Sequence, residues 1–384
     1  MGSRLTQPAT AATKPTLAPV MTLEGHDPEG FTWSMAYVLD GKRIIGVFQD
    51  KTIRQWDLQA GKEIEEVRDV YEGNLYLAVV SRDGRWVMTS GGDEEYKELK
   101  ACEVETGVVK TFQDSRVINC IDISTDGKLL ASGSLDDTVQ IWEMDTGELV
   151  AGPFKSDDPD VIRFSPDSKK LAVETEVKKC LEVWDVQTQK LDARVGKKGY
   201  GYISGAPILW TKKGTILAVF NFDLDDNDSK PTTIYEFDVS TLETVGDPFR
   251  GHTNTVIRQL ALSFDGTLLA SSCSNKTIKL WSIEPRQLLA SFHVQHQTWP
   301  TNLIFSPDTR QLAYSADDKI FICTIPPDIL TSIRVAPDVQ AIVRICIYLI
   351  VDVLISSFRL VHLTIQPSMT YSMCTSHYSI HSHY

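Results

Sequence analysis

Basic residues are in short supply in this chain. It carries 38 Lys and Arg against 51 Asp and Glu, a formal net charge of −13, with a sequence pI near 5.1. That balance argues against direct nucleic-acid binding, which needs a basic footprint. It biases the chain toward basic or neutral protein partners and keeps a large protein soluble. Paired cysteines are lacking too. Seven stand at 102, 120, 180, 273, 323, 346 and 374, an odd number with no CxxC spacing. Free, mostly buried thiols fit a reducing compartment, cytoplasmic or nuclear. The opening MGSRLTQPATAATKPTLAP lacks an apolar h-region, which excludes a secretory signal. Gly2 and Thr6 fit the N-myristoylation pattern, but residues 1–16 read as a flexible polar leader. The G-x-S-x-G, P-loop and H-E-x-x-H motifs are missing, so the sequence offers no active site.

What is there is order of short range. Residues 251–283, GHTNTVIRQLALSFDGTLLASSCSNKTIKLWSI, form one unit. An apolar run from Val256 to Leu262 meets a turn at Asp265-Gly266, where Asp-Gly tolerates positive φ. A second run, Leu268 to Ser272, meets a turn at Ser274-Asn275-Lys276, and a third ends at Trp281. This is an antiparallel meander, too small to be stable without neighbours of its own kind. The neighbours exist. Turns centred on Gly41, Gly84, Gly127, Ser168, Gly214, Gly266 and Thr309 are separated by 43, 43, 41, 46, 52 and 43 residues. The third strand recurs as TIRQWD, TVQIWE, LEVWD and TIKLWS, ending on or just after Trp56, Trp142, Trp184 and Trp281. A period of 40 to 45 with short strands marks a propeller-type array.

On these residues the chain, from about 18 to 326, resembles a WD40-repeat protein. The resemblance implies an all-β, seven-bladed β-propeller. The blades fall at 31–68, 74–112, 116–154, 160–195, 202–249, 251–292 and 298–325. The last unit is one strand short before Pro326-Pro327, and residues 17–24 supply a spare strand. The resemblance makes that strand the latch of blade 7, closing the ring. The domains expected are a leader at 1–16, the propeller at 17–327 and a separate tail at 328–384. Within a third strand, Val139 and Ile141 point one way, Gln140 and Trp142 the other. Some units depart from the pattern. Cys102, Phe237 and Cys323 stand where Trp is expected, and Gly-His survives only at 25–26 and 251–252. The acidic loop 223–228 fails the calcium-hand pattern, with Asp228 for Gly and Ile234 for Glu, and reads as a solvated rim loop.

The family's hydrogen-bonded tetrad is matched by His252, Ser271, Asn275 and Trp281 in blade 6. In blade 1 the matches are His26, Asp50 and Trp56, and in blade 3 Ser132, Asp136 and Trp142. A His, Ser and Asp set invites comparison with a hydrolase triad, but repetition from blade to blade points to buried polar groups satisfying one another. Partner-binding chemistry is expected on the loops before each first strand and between second and third strands. The candidates are Trp33, Arg116 and Trp299, with Tyr76 and Tyr202 behind them, since Trp, Tyr and Arg dominate interface energetics. Lys197-Lys198 and Lys212-Lys213 read as solvated pairs.

The tail is of another character: residues 345–384 hold only Asp352 and Arg359 as charges. The stretch 341–358 is apolar but carries Arg344 and Asp352, and its uninterrupted run, 345–351, is too short for a span. Cys374, His377, His381 and His383 have metal-like spacing without a fold around them. The expected function is a non-catalytic protein-interaction scaffold without cofactor or metal. Two alternatives are a sensing propeller, since similar arrays end immune-type receptors in fungi, and a propeller tethered to membrane by its tail.

Overall fold

The computed structural model describes residues 17–24, 31–69, 74–92, 97–112, 117–175, 180–196, 206–220, 232–253 and 255–333. The chain divides into two compact units, Met1–Leu330 and Thr331–Tyr384. The first is a ring of seven antiparallel sheets, a β-propeller. Of the second only 331–333 is described, the end of a short helical turn that begins at 327. Among the described residues no helix is long and apolar enough to cross a membrane.

Each blade is a meander whose strands are labelled a to d in chain order. Blade 6 runs Ile257–Leu262, Leu268–Cys273, Thr277–Ser282 and Leu288–His293. Blades 1 to 4 repeat this order over 32–69, 74–112, 118–155 and 159–196. Blade 7 has Leu303–Phe305, Gln311–Ala316 and Lys319–Thr324 of its own, and its fourth strand is Pro19–Leu23, paired antiparallel on Lys319–Thr324. Blade 5 differs. Its sheet has three strands, Leu209–Trp210, Ile216–Val219 and Ile234–Phe237. The fourth position is reduced to isolated bridges, Ile234 to Phe249 and Phe237 to Thr244. Pro248 has no N–H for a ladder there, and Gly246 breaks the strand with a φ of +62°.

The a–b turns share a polar design. In blade 3, Ser124 Oγ donates to Asp126 Oδ1 (2.7 Å) and accepts the N–H of Leu129 (2.8 Å). The same Ser–Asp pair recurs in blades 2, 4, 6 and 7. The turn needs a left-handed residue next, supplied by Gly127 at +70° but by Ser168 at +60° and Thr309 at +61° in blades 4 and 7.

Both faces of every sheet are covered by neighbours, so strand alternation sorts side chains between two cores. Val139 and Ile141 pack with Ile162 and Leu171 between blades 3 and 4. Trp142, from the same strand, packs with Trp86, Met88 and Leu99 between blades 2 and 3. Trp56 and Trp281 fill the corresponding wedges between blades 7 and 1 and blades 5 and 6. Residues on and beside the inner strands then tie adjacent blades together around the axis. Asn302 Nδ2 donates to Thr32 O (2.9 Å) across the 7–1 junction, Val80 N to Ser34 Oγ (3.1 Å), Asn119 Nδ2 to Pro159 O (3.1 Å), and Ser272 Oγ to Pro300 O (3.2 Å).

Candidate interaction site

The tetrad-like residues lie beneath the loops on which a partner would rest. In blade 6, Trp281 Nε1 donates to Ser271 Oγ (2.9 Å), and Ser271 Oγ lies 2.7 Å from His252 Nε2. Burial and the nearby Lys279 pull the His252 pKa down to about 4, so the imidazole is neutral. Asn275 stays apart: its Oδ1 accepts from Thr277 Oγ1 and Cys273 Sγ, both at 2.7 Å. His252 Nδ1 is left without a partner among the described residues. The structure therefore joins three of the four residues. Ser271 is fully buried and spent on the indole, so it has no face open to a substrate.

Blade 3 repeats the central bond, Trp142 Nε1 to Ser132 Oγ at 3.1 Å, while Asp136 accepts from Thr138 Oγ1 (2.6 Å). Blade 1 cannot. The position matching Ser132 is Gly46, and a Cβ there would sit 2.8 Å from Phe48 Cζ. Trp56 Nε1 reaches the carbonyl of Glu24 instead, at 3.4 Å. Asp50 accepts the N–H and hydroxyl of Thr52 (3.0 and 2.6 Å) and pairs with Arg54 (3.3 Å). Burial opposes ionisation of Asp50, but these bonds outweigh it and hold its carboxyl below the usual range. His26 lies outside the described residues, as do the leader, the 223–228 loop, Lys197-Lys198 and the tail from 334, with Cys374 and its histidines.

Three blades contain variants that the repeat pattern does not announce. In blade 7, His296 Nε2 lies 3.0 Å from Tyr314 Oη and its Nδ1 3.5 Å from Asp317, with the ring stacked on Phe321 at 4.1 Å. Its position in the loop before strand a was the available signal, but Gln295 precedes it where Gly is usual. In blade 4 the strand b position is Val173, and Trp184 Nε1 donates to Glu182 on its own strand. In blade 2 strand c offers Cys102 rather than Trp, and the buried hydroxyl of Thr89 has no partner among the described residues.

The d–a and b–c loops emerge together at one end of the ring. Here Trp299 is 43% exposed, while Trp56, Trp86, Trp142 and Trp281 are buried. The Arg258 guanidinium lies 5.6 Å from the Trp299 ring and its Nε donates to Ser274 Oγ (3.1 Å). Asp317 accepts the N–H groups of Gln297 and Thr298 (2.8 and 2.7 Å), bracing the segment that carries Trp299. Across the 7–1 junction, Phe31, also 43% exposed, meets Trp33 edge-on at 4.7 Å. Trp33 is only half-buried and packs against the core between blades 1 and 2. Arg116 and Tyr202 lie outside the described residues, as does the side chain of Tyr76. Among the described residues, no three His, Cys, Asp or Glu side chains group so as to hold a metal.

The family described as WD domain, G-beta repeat matches residues 17–57, 107–143 and 243–282. The chain is a WD40-repeat protein. The matched segments carry blades 1, 3 and 6, which keep Trp56, Trp142 and Trp281; blades 2, 5 and 7 have Cys102, Phe237 and Cys323 there. Similar proteins include the WD repeat-containing protein SL1-17 of Schistosoma mansoni, 29% identical over 54% of this chain and 65% of that protein. Apoptotic protease-activating factor 1 of Rattus norvegicus is 24% identical over 71% of this chain but 24% of its own length. Nuclear distribution protein PAC1 of Coccidioides posadasii is 26% identical over 51% and 48%. The chain thus spans less than two thirds of each. WD40 propellers serve in general as non-catalytic platforms for protein interaction, a property of the family rather than of any one site.

Proposed function

We propose that this WD40 ring is a non-catalytic scaffold that holds a protein partner at the end where Trp299 and Arg258 emerge, working in the cytoplasm or nucleus. The observation that carries the reading is the exposed indole of Trp299, capped by the Arg258 guanidinium and braced from beneath by Asp317. A rigid aromatic and an arginine on a fixed loop are the chemistry of an interface anchor. Residues 17–327 are the binding body in this reading, and 328–384 a separate segment. The test is affinity purification with mass spectrometry from native cells, with the full chain, residues 1–328, and Trp299→Ala in the full chain. Proteins retained by the first two and lost with Trp299→Ala support the scaffold. Retention unchanged by Trp299→Ala removes this surface from the account. Partners or membrane fractionation seen only with the full chain favour the tethered reading, which rests on 341–358.

A second reading draws on the apoptotic protease-activating factor alignment, which covers 71% of this chain within 24% of a much longer protein. The chain would then act as a sensing array of the kind that ends larger receptors, and its partners would be retained only from stimulated cells.

A further inference from the structure

The a–b turns open toward the ring axis at the end opposite Trp299, because successive antiparallel strands reverse direction. In blade 2 the residue between Ser81 and Asp83 is Arg82; in blade 6 the matching residue is Phe264. Arg82 Cζ lies 5.1 Å from the centroid of the Phe264 ring. Blades 2 and 6 are not neighbours in a ring of seven, so this contact crosses the axis. Arg163 from blade 4 and Asp122 from blade 3 join the same space. Arg163 donates to Asp122 at 2.6 Å. Burial and the charge of Arg163 hold the Arg82 guanidinium below its ordinary pKa, against the pull of Asp122. The repeat does not generate this meeting: the other turns place Leu39, Thr125, Pro166, Lys212 and Pro307 at the position of Arg82.

The donors are not all spent. Asp122 is occupied on both oxygens, by Arg163 and by the Phe164 N–H at 2.8 Å. Arg82 keeps access to solvent along its length, its guanidinium is sheltered by the facing turns, and it has no hydrogen-bond acceptor among the described residues. Its contact with Phe264 places the guanidinium carbon over the ring and occupies no oxygen acceptor, so its N–H groups remain available to a ligand. The Lys212 side chain runs against Gly266 in the Phe264 turn, beside Asp265, and brings a third cation to this end. The turn carboxylates face back into their own turns: Asp83 accepts from Ser81 Oγ and Arg85 N, Asp265 from Ser263 Oγ and Thr267 N.

We propose that the a–b end of the axis is a binding site for a phosphate-type oxyanion, gripped by the N–H groups of Arg82 with Arg163 and Lys212 around it. Arginine forks match such groups bidentately, and several convergent cations suit a dianion better than a single carboxylate. This site is independent of the Trp299 surface.

The test uses the full chain. Arginines are modified with phenylglyoxal and read by peptide mass spectrometry, with increasing inorganic phosphate, a phosphoserine peptide, or acetate. Phosphate should protect Arg82 saturably and leave the outward-facing Arg85 unprotected. In calorimetry Arg82→Met, which keeps the contact with Phe264, should weaken phosphate binding about tenfold. Protection by the peptide at lower concentration than by phosphate assigns the group to a modified protein; the reverse order assigns it to a small solute. No protection of Arg82, equal protection of Arg85, or acetate acting as well as phosphate overturns the proposal. The protection arm uses unaltered protein, so it stands even if Arg82→Met fails to fold.

Discussion

The indole Nε1 of Trp184 lies 2.9 Å from Oε2 of Glu182, two residues earlier on the same strand. In blades 3 and 6 the equivalent indole finds a serine on strand b; in blade 4 that place is Val173, and the acceptor has moved to strand c. Glu182 also accepts from Ser156 Oγ (2.9 Å) and pairs with Arg194 (2.7 Å), at 1% exposure. Glu182→Ala strands two donors, the buried Ser156 hydroxyl and the partly buried Trp184 indole, while Arg194, 37% exposed, regains water. The expected loss is about 2–3 kcal/mol in urea unfolding. Glu182→Gln keeps an acceptor for the indole and should lose roughly half of that. A loss near zero for the alanine variant would show that the carboxylate is not the acceptor.

Thr89 poses the opposite case. Its hydroxyl is buried without a partner among the described residues, and blade 2 has Cys102 where blades 3 and 6 place an indole. Thr89→Val removes the unsatisfied group at constant volume and should stabilise the ring by about 1 kcal/mol. Destabilisation would mean that the hydroxyl has found an acceptor.

Gly46 is held to its size by contact. Gly46→Ala would drive a methyl to 2.8 Å from Phe48 Cζ and 3.4 Å from Trp56 Cζ3. Overpacking of this kind costs about 1–3 kcal/mol. It should appear as a lowered Tm with altered near-ultraviolet dichroism from Trp56, and an unchanged Tm would refute it.

His252 makes stability depend on pH. Its folded pKa is about 4 against an ordinary 6.5, so between those values the unfolded chain binds the proton and the folded ring does not. The contribution is complete above about pH 6.5, falls as pH drops toward 4, and falls no further below that. The span is on the order of 3 kcal/mol. Comparing His252→Gln with the parent chain across this window isolates the effect from the carboxylates. Parallel curves would count against it.

Much of this was legible in the sequence, for a physical reason. The Asp-Gly turns and the terminal Trp of strand c are local requirements, so each unit declares itself, and blade limits such as 74–112 agree with the strands found. The face assignment of Val139 against Trp142 followed from alternation alone. The polar variants were not legible, because they depend on which side chain leans across a strand. Nothing local announces that Glu182 replaces a serine, that Asn275 turns toward Cys273, or that His296 meets Tyr314 and Asp317. The Arg82–Phe264 contact was out of reach altogether, since it joins turns 182 residues apart across the axis. Blade 5 has three strands where the other blades have four, because Pro248 with Gly246 reduces the fourth to bridges.

The pairing of Pro19–Leu23 with Lys319–Thr324 also has a consequence in time. Glu24 and Lys319, joined by an ion pair at the end of that pairing, are 295 residues apart. At a synthesis rate of about 5–20 residues per second, the first strand leaves the ribosome roughly 15–60 s before its partner exists. Blades 1 to 6 are complete in that interval, and blade 7 is not. A nascent chain short of residue 319 is therefore an open arc with a bare strand at its beginning, and that arc is the form in which a chaperone would meet it.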